Sequence, residues 1–190
     1  MKVGILIKRK SSVLRASKIN WVGLVQVLLG SAFLGLMAQL AIQLPFTPVP
    51  LSMQSLGVAL LAISLGSRKA AWSVAVYLIQ ATVGLPVLGG GLSNPLWMVG
   101  PRMGYLIGFV VAAFIVGRLL EQRQSSSFLK NWLILSLNEG IILLMGTLWL
   151  GLFVGWGDAF ALGTVPFLSG ALIKITIAAS SIKPIEWLKS

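Results

Sequence analysis

The chain has 190 residues, of which 57% are hydrophobic and 10% charged, with a formal net charge of +11 and neither cysteine nor histidine. Soluble domains carry about 25% charged residues, so this is the composition of an integral membrane protein. The missing residue types exclude disulfides, Cys or His metal sites, a thiol nucleophile and an imidazole base. The four acids, Glu121, Glu139, Asp158 and Glu186, are too scattered for a paired-carboxylate hydrolase.

Residues 1–19 are basic and polar, with Ser11, Ser12 and Ser17, and lead into an apolar stretch too long for the core of a cleaved signal. They read as a cytoplasmic N-terminal segment ahead of an uncleaved first helix. Six apolar stretches follow, from Trp21 to Leu40, Leu51 to Leu65, Ala70 to Val83, Met103 to Leu120, Leu129 to Phe153 and Val165 to Ser180. The second and third fall short of the roughly 20 residues that a crossing helix needs, so they are tilted, extend further or form a re-entrant pair, each of which leaves an even number of crossings. The expected organisation is a six-transmembrane-helix, all-α bundle over 20–183 with a short cytoplasmic tail, 184–190.

The first stretch places Gly30, Ser31, Gly35 and Ala38 at three- and four-residue spacings, a stripe that lets another helix approach closely. Its partner is either this bundle or a different subunit. The connection after it, "QLPFTPVPLSMQS", has Pro45, Pro48 and Pro50, which favour an extended, stiff path. Ser52, Gln54 and Ser55 then bring hydrogen-bonding groups to the start of the second stretch. The loop "GLPVLGGGLSNPLWMVGP" is rich in glycine and proline and uncharged, with Asn94 and Trp97 as an amide and a flat apolar surface. It suits a lid over a ligand. It is no nucleotide loop, because the chain contains no GxxxxGK followed by Ser or Thr.

Basic residues sort by side. Six precede the first stretch (Lys2, Lys8, Arg9, Lys10, Arg15, Lys18), Arg68 and Lys69 lie between the second and third, Arg118, Arg123 and Lys130 between the fourth and fifth, and Lys183 and Lys189 at the end. These thirteen share one face, which the positive-inside rule makes cytoplasmic, with both termini. They form no aromatic-laced patch of the kind that binds nucleic acid. Two cations are left over: Arg102, at the outer mouth of the fourth stretch, where it either snorkels to the outer surface or anchors an anion, and Lys174, some eight residues inside the sixth, roughly 12 Å deep at 1.5 Å per residue. Ionisable groups at such depth mark functional sites. Glu139, the acid within the fifth stretch, either pairs with Lys174 structurally or competes with a ligand for it.

Four strings in register, "PFTPVPLSMQSLGVALLAISLG", "YLIQATVGLPVLGGG", "GPRMGYLIGF" and "PFLSGALIK", resemble the BioY family of biotin transporters across residues 21 to 182. Its members are substrate-binding S components of energy-coupling factor (ECF) transporters. The resemblance implies a six-helix S-component fold in the bacterial plasma membrane. It also implies biotin bound at the outer side under the two loops, with a transmembrane coupling subunit and a pair of ATPases as partners. No cofactor and no enzymatic activity are implied. The chain departs from the family strings at Ala171, where PFxxGDxxK has Asp, at Arg102, where GPTxGYL has Thr, and at Ser52, which keeps the hydroxyl of a Thr.

Biotin carries a carboxylate on an aliphatic tail and a ureido group on an apolar ring. Under the resemblance, Lys174 and Arg102 supply positive charge with one of them nearest the carboxylate, Gln54 and Asn94 face the ureido edge, and Trp97 and Tyr105 cover the rings; in the alternative assignment of ends Lys174 faces the ureido oxygen. Bulky residues on the first-helix stripe would then disturb contact with the coupling subunit. The alternatives are an S component for another vitamin or small metabolite, and a membrane scaffold with no small ligand. An enzyme lacks a credible nucleophile–base pair.

Overall fold

The computed structural model describes residues 21–91, 93–123 and 127–188. The basic N-terminal segment 1–19, its six cations, and Lys189 in the tail therefore lie outside the described residues. The described residues form five long α-helices, α1 (Trp21–Gln39), α2 (Gln54–Thr82), α3 (Met103–Gln122), α4 (Phe128–Val154) and α6 (Val165–Trp187), and one short one, α5 (Trp156–Gly163). A two-residue antiparallel pair, β1 (Ala41–Ile42) with β2 (Leu51–Ser52), and a 3₁₀ turn (Trp97–Val99) lie in the connections. The fold is thus all-α apart from one small hairpin.

The expectation of six separate helices is corrected at α2. The second and third apolar stretches form one 29-residue element broken at Gly66, whose φ of 77° and ψ of 175° are non-helical. The break is a reversal. Gln54 Nε2 donates to Tyr77 Oη at 2.7 Å, yet 23 residues of straight helix would separate them by roughly 35 Å. The arms 54–65 and 67–82 must therefore run back along each other. A positive φ of this kind is open to glycine at little steric cost. The carboxylate of Glu121, from the end of α3, caps the second arm by accepting from Ser67 N at 2.6 Å and from Ser67 Oγ at 2.9 Å.

Among the described residues, four helical segments are long and apolar enough to cross a membrane: Trp21–Gln39, Met103–Gln122, Phe128–Val154, and Trp156–Trp187, which joins α5 to α6. The arms of α2 are shorter and carry buried polar side chains, Gln54, Ser55, Ser67 and Ser73. Unlike a soluble domain, the bundle is apolar on its exterior as well as in its core. Leu24, Leu28 and Leu36 of α1, Leu144, Leu148 and Leu152 of α4, and Leu172, Ile173 and Ile177 of α6 all face outward. Such an apolar exterior around polar interior groups suits hydrocarbon, where backbone groups are satisfied within helices. The chain is a multi-pass membrane protein.

The first-helix stripe is used within the chain. Gly30 sits against Ser73 and Leu61, Gly35 meets Val87, and Ser31 and Ala38 are fully buried. Of its two expected partners, the structure assigns it to its own bundle, which removes the reason to expect a coupling-subunit contact there. At the end of the bundle that carries the Gly66 turn, Lys69 Nζ donates to Gln26 Oε1 at 2.7 Å, Arg118 pairs with Glu121 at 3.7 Å and Arg123 pairs with Glu186. These contacts tie the start of α1, the turn, and the ends of α3 and α6 together.

Close helix approach at the turn depends on Gly117 of α3. A Cβ there would stand 2.6 Å from Ser67 Cα and 2.8 Å from Ser67 N, backbone atoms that cannot swing aside. Gly117→Ala is expected to destabilise the purified protein by about 1–3 kcal/mol, the usual cost of overpacking. Gly140→Ala, where nothing lies within 4 Å of the added carbon, is expected to stay within about 0.5 kcal/mol of the parent. Thermal denaturation in detergent measures both, and equal effects would refute this account of the turn. In the same assay Glu121→Ala should cost about 0.5–2 kcal/mol through loss of the cap, whereas no change would show the arm to be held by packing alone.

Candidate functional site

A cavity of about 420 Å³ opens opposite the Gly66 turn, between α2, α3, α4 and α6 and beneath the proline-rich and glycine-rich loops. Its size lies in the range of small-molecule sites. All six sequence-predicted site residues line it: Gln54, Asn94, Trp97, Arg102, Tyr105 and Lys174. Its walls are apolar, from Leu106 and Phe109 of α3, Ile142 and Leu143 of α4, and Phe167 of α6.

The roof is built by local chain chemistry. The prolines of the first loop stiffen a connection that β1 and β2 close at its base, with Ala41 opposite Ser52, and Met53 N donates to Leu40 O at 3.1 Å. Inside it Val49 N donates to Thr47 Oγ1 at 3.3 Å and Gln43 Nε2 to Thr47 O at 3.1 Å. The second loop crosses over it at Gly89, where a side chain would press on Pro50. Gly90 then turns with φ 77° and its N–H reaches Ala38 O at 3.0 Å, fastening the loop to the end of α1.

Arg102 joins the two loops. It directly precedes α3, and its Nε donates to Pro48 O at 2.9 Å and its Nη2 to Gln43 Oε1 at 3.1 Å. The side chain is half-buried at the mouth. Burial lowers its pKa from the ordinary arginine value, a direction that leaves a guanidinium charged at neutral pH. Both of its protein partners are neutral, so its charge is unbalanced and further N–H groups remain for an anion.

Trp97 is held edge-on by a bond from Nε1 to Thr82 Oγ1 at 2.9 Å and is 5% exposed. Tyr105 donates to Gly163 O at 2.7 Å, packs tilted against Phe167 with centroids 6.3 Å apart, and lays its ring in the space left by the absent side chain of Gly146. Asn94 is exposed at the rim. Its Oδ1 accepts from Leu96 N at 3.0 Å, forming a turn at the edge of the cavity. Gln54 is fixed at both ends, donating to Tyr77 and accepting from Ser52 Oγ at 3.0 Å.

The floor is ionic. Lys174, 7% exposed, donates from Nζ to Ser55 Oγ at 2.9 Å. Glu139, 6% exposed, lines the same cavity and interacts electrostatically with Lys174, with Ser55 as a hydrogen-bonding neighbour of both. No direct ion pair joins them. Asn138 Nδ2 donates to Ser55 O at 3.1 Å, which fixes α4 against α2 one residue from Glu139. The structural-pair expectation is thus met in location but not in direct contact. Residues missed as site residues include Gln43, Ser55, Phe109 and Glu139. Glu139 carried a readable signal, since an acid at lipid depth is a site candidate in its own right. Phe109 and Gln43 carried none, because an aromatic in an apolar helix and an amide in a loop are both commonplace.

The BioY family profile matches residues 9–189. The chain is similar to a biotin transporter BioY of Rhizobium etli, 34% identical over 146 residues that cover 73% of this chain and 78% of the relative. It is also similar to a biotin transporter BioY of Thermotoga maritima, 36% identical over 141 residues, 73% of this chain and 81% of the relative. Among solved structures it resembles the crystal structure of the S-component for biotin from an ECF-type ABC transporter. The TM-score is 0.80 at 24% identity over 89% of this chain and 92% of the other, a likeness that establishes the fold. With the family profile matched across nearly the whole chain and both relatives aligned over most of it, this protein is a member of the BioY family.

Proposed function

We propose that the protein takes up biotin as the membrane-embedded S component of an ECF-type transporter. The observation that carries this is the enclosed apolar cavity with one unbalanced cation at its mouth and a polar, ionic floor. It matches a ligand with an anionic tail and a hydrogen-bonding ring system on otherwise apolar surface, which requires a few well-placed polar groups on greasy walls. The names of the relatives, biotin transporters, support the same ligand.

In this reading Arg102 and Lys174 supply the positive charge, Gln54 and Asn94 supply amide contacts, and Trp97 and Tyr105 cover the rings. The arms of α2 act as two short crossings beside the four long spans, giving six in all and placing both termini on one side. That side is cytoplasmic, because Arg68, Lys69, Arg118, Arg123, Lys130 and Lys183 lie at or beside the end with the Gly66 turn. The cavity then faces outward. Biotin enters between the proline and glycine loops, which close on it through the Arg102 bonds to the first loop. Release inward requires the bundle to reorient, and with no phosphate-binding motif of its own the chain draws that work from a coupling subunit and its ATPases.

Titration of the purified protein with biotin is expected to show saturable binding at one site. Arg102→Ala and Lys174→Ala should each weaken it by about 10- to 100-fold, the range for a lost hydrogen bond to a charged group. Absence of saturable binding, or unchanged affinity in both variants, would defeat the assignment. Saturation by a different small carboxylate in a ligand panel would redirect it to another S-component specificity.

A further inference from the structure

The two cations of the cavity are not equivalent. Among the lining residues Arg102 and Lys174 are the cations and Glu139 is the one acid, so one positive charge remains in balance. It resides at Arg102, whose protein partners are the neutral Pro48 carbonyl and Gln43 amide. Lys174 instead shares the floor with Glu139. With one proton shared between those two groups their combined charge is zero, so an anion brought there gains no net attraction and meets a carboxyl group at close range.

What the floor does offer is both polarities of hydrogen bond. Glu139 provides acceptor oxygens and Lys174 provides N–H donors, with Ser55 fixed between them by the 2.9 Å bond from Lys174. A ureido group presents the complement, two N–H donors flanking one carbonyl acceptor. On α6 the position three residues before Lys174 is Ala171, buried at 4% exposure, so that helix supplies the cation without an acid beside it. The acid arrives from α4, held by the neighbouring Asn138 bond to Ser55 O.

We propose that Glu139 is a specificity-determining residue: it turns the cavity floor into a charge-neutral reader of the ligand's ureido N–H groups and thereby directs the carboxylate to Arg102 at the mouth. This rests on the biotin reading above. The anion is thus bound at the end by which it enters, and the hydrogen-bonding head goes in first.

The test uses the full-length protein in detergent and three probes: biotin, biotin amide, which lacks the anion, and biotin methylated on a ureido nitrogen, which lacks one N–H. The parent is expected to prefer biotin over both analogues by about tenfold or more. Glu139→Gln should narrow the preference against the N-methylated probe at least several-fold. The double variant Glu139→Leu/Lys174→Met, which leaves no lone buried charge, should abolish that preference while keeping biotin favoured over its amide. Arg102→Ala should do the reverse. If both Glu139 variants weaken all three probes equally, Glu139 is only a structural group and the inference fails. It also fails if they keep the parent's discrimination against N-methylation, or if they lose the amide preference instead. A parent that binds none of the probes defeats the biotin reading itself, which is a separate and visible outcome.

Discussion

The reversal of α2 at Gly66 is the constraint on which the remaining architecture depends. The 2.7 Å hydrogen bond between Gln54 and Tyr77 closes it at one end, and Glu121 caps it at the other. An unpaired amide or phenol inside an apolar bundle costs several kcal/mol, so these two groups hold each other in register as the arms pack. Because the first arm begins at Gln54, the same closure sets Ser55 against Lys174 and leaves β2 and the proline loop directly above the cavity. The floor and the roof of the site are therefore both fixed by one helical hairpin.

Glycine performs a different task in each half of the molecule. At Gly66, Gly90 and Gly91 it supplies left-handed backbone for the turn and the roof. At Gly117 and Gly146 it removes a side chain so that a backbone or the Tyr105 ring fits against the helix. Association of helices in lipid lacks a strong hydrophobic drive and relies on close packing and internal hydrogen bonds. The bundle follows that logic: Ser, Asn, Gln, Glu and Lys side chains are set within an apolar core, and many other large apolar side chains face outward. Polar residues at lipid depth are the informative ones, and in this chain Gln54, Ser55, Glu139 and Lys174 converge on one cavity.

Arg102 shows how a cation serves two purposes without conflict. A guanidinium has five N–H donors in a fixed fork, and its bonds to Pro48 and Gln43 join the loop to the start of α3 while leaving donors over. A lysine has the charge but not this geometry. The roof and the anion contact in the proposed mechanism are consequently linked through one side chain.

The sequence by itself determined the membrane class and the family, because apolar run length and ordered motifs are one-dimensional properties. It also brought forward Gln54, Asn94, Trp97, Arg102, Tyr105 and Lys174, since polar or aromatic groups at lipid depth and in glycine-rich loops stand out against a greasy background. Only the tertiary structure decided that the second and third apolar stretches are arms of one folded-back helix, for the φ of a single glycine and a contact across 23 residues leave no periodic trace. It likewise turned the Gly30–Ala38 stripe inward and set Glu139 beside Lys174 without pairing them directly. Which face of a helix meets which neighbour depends on how whole helices cross in space, and linear spacing does not encode that.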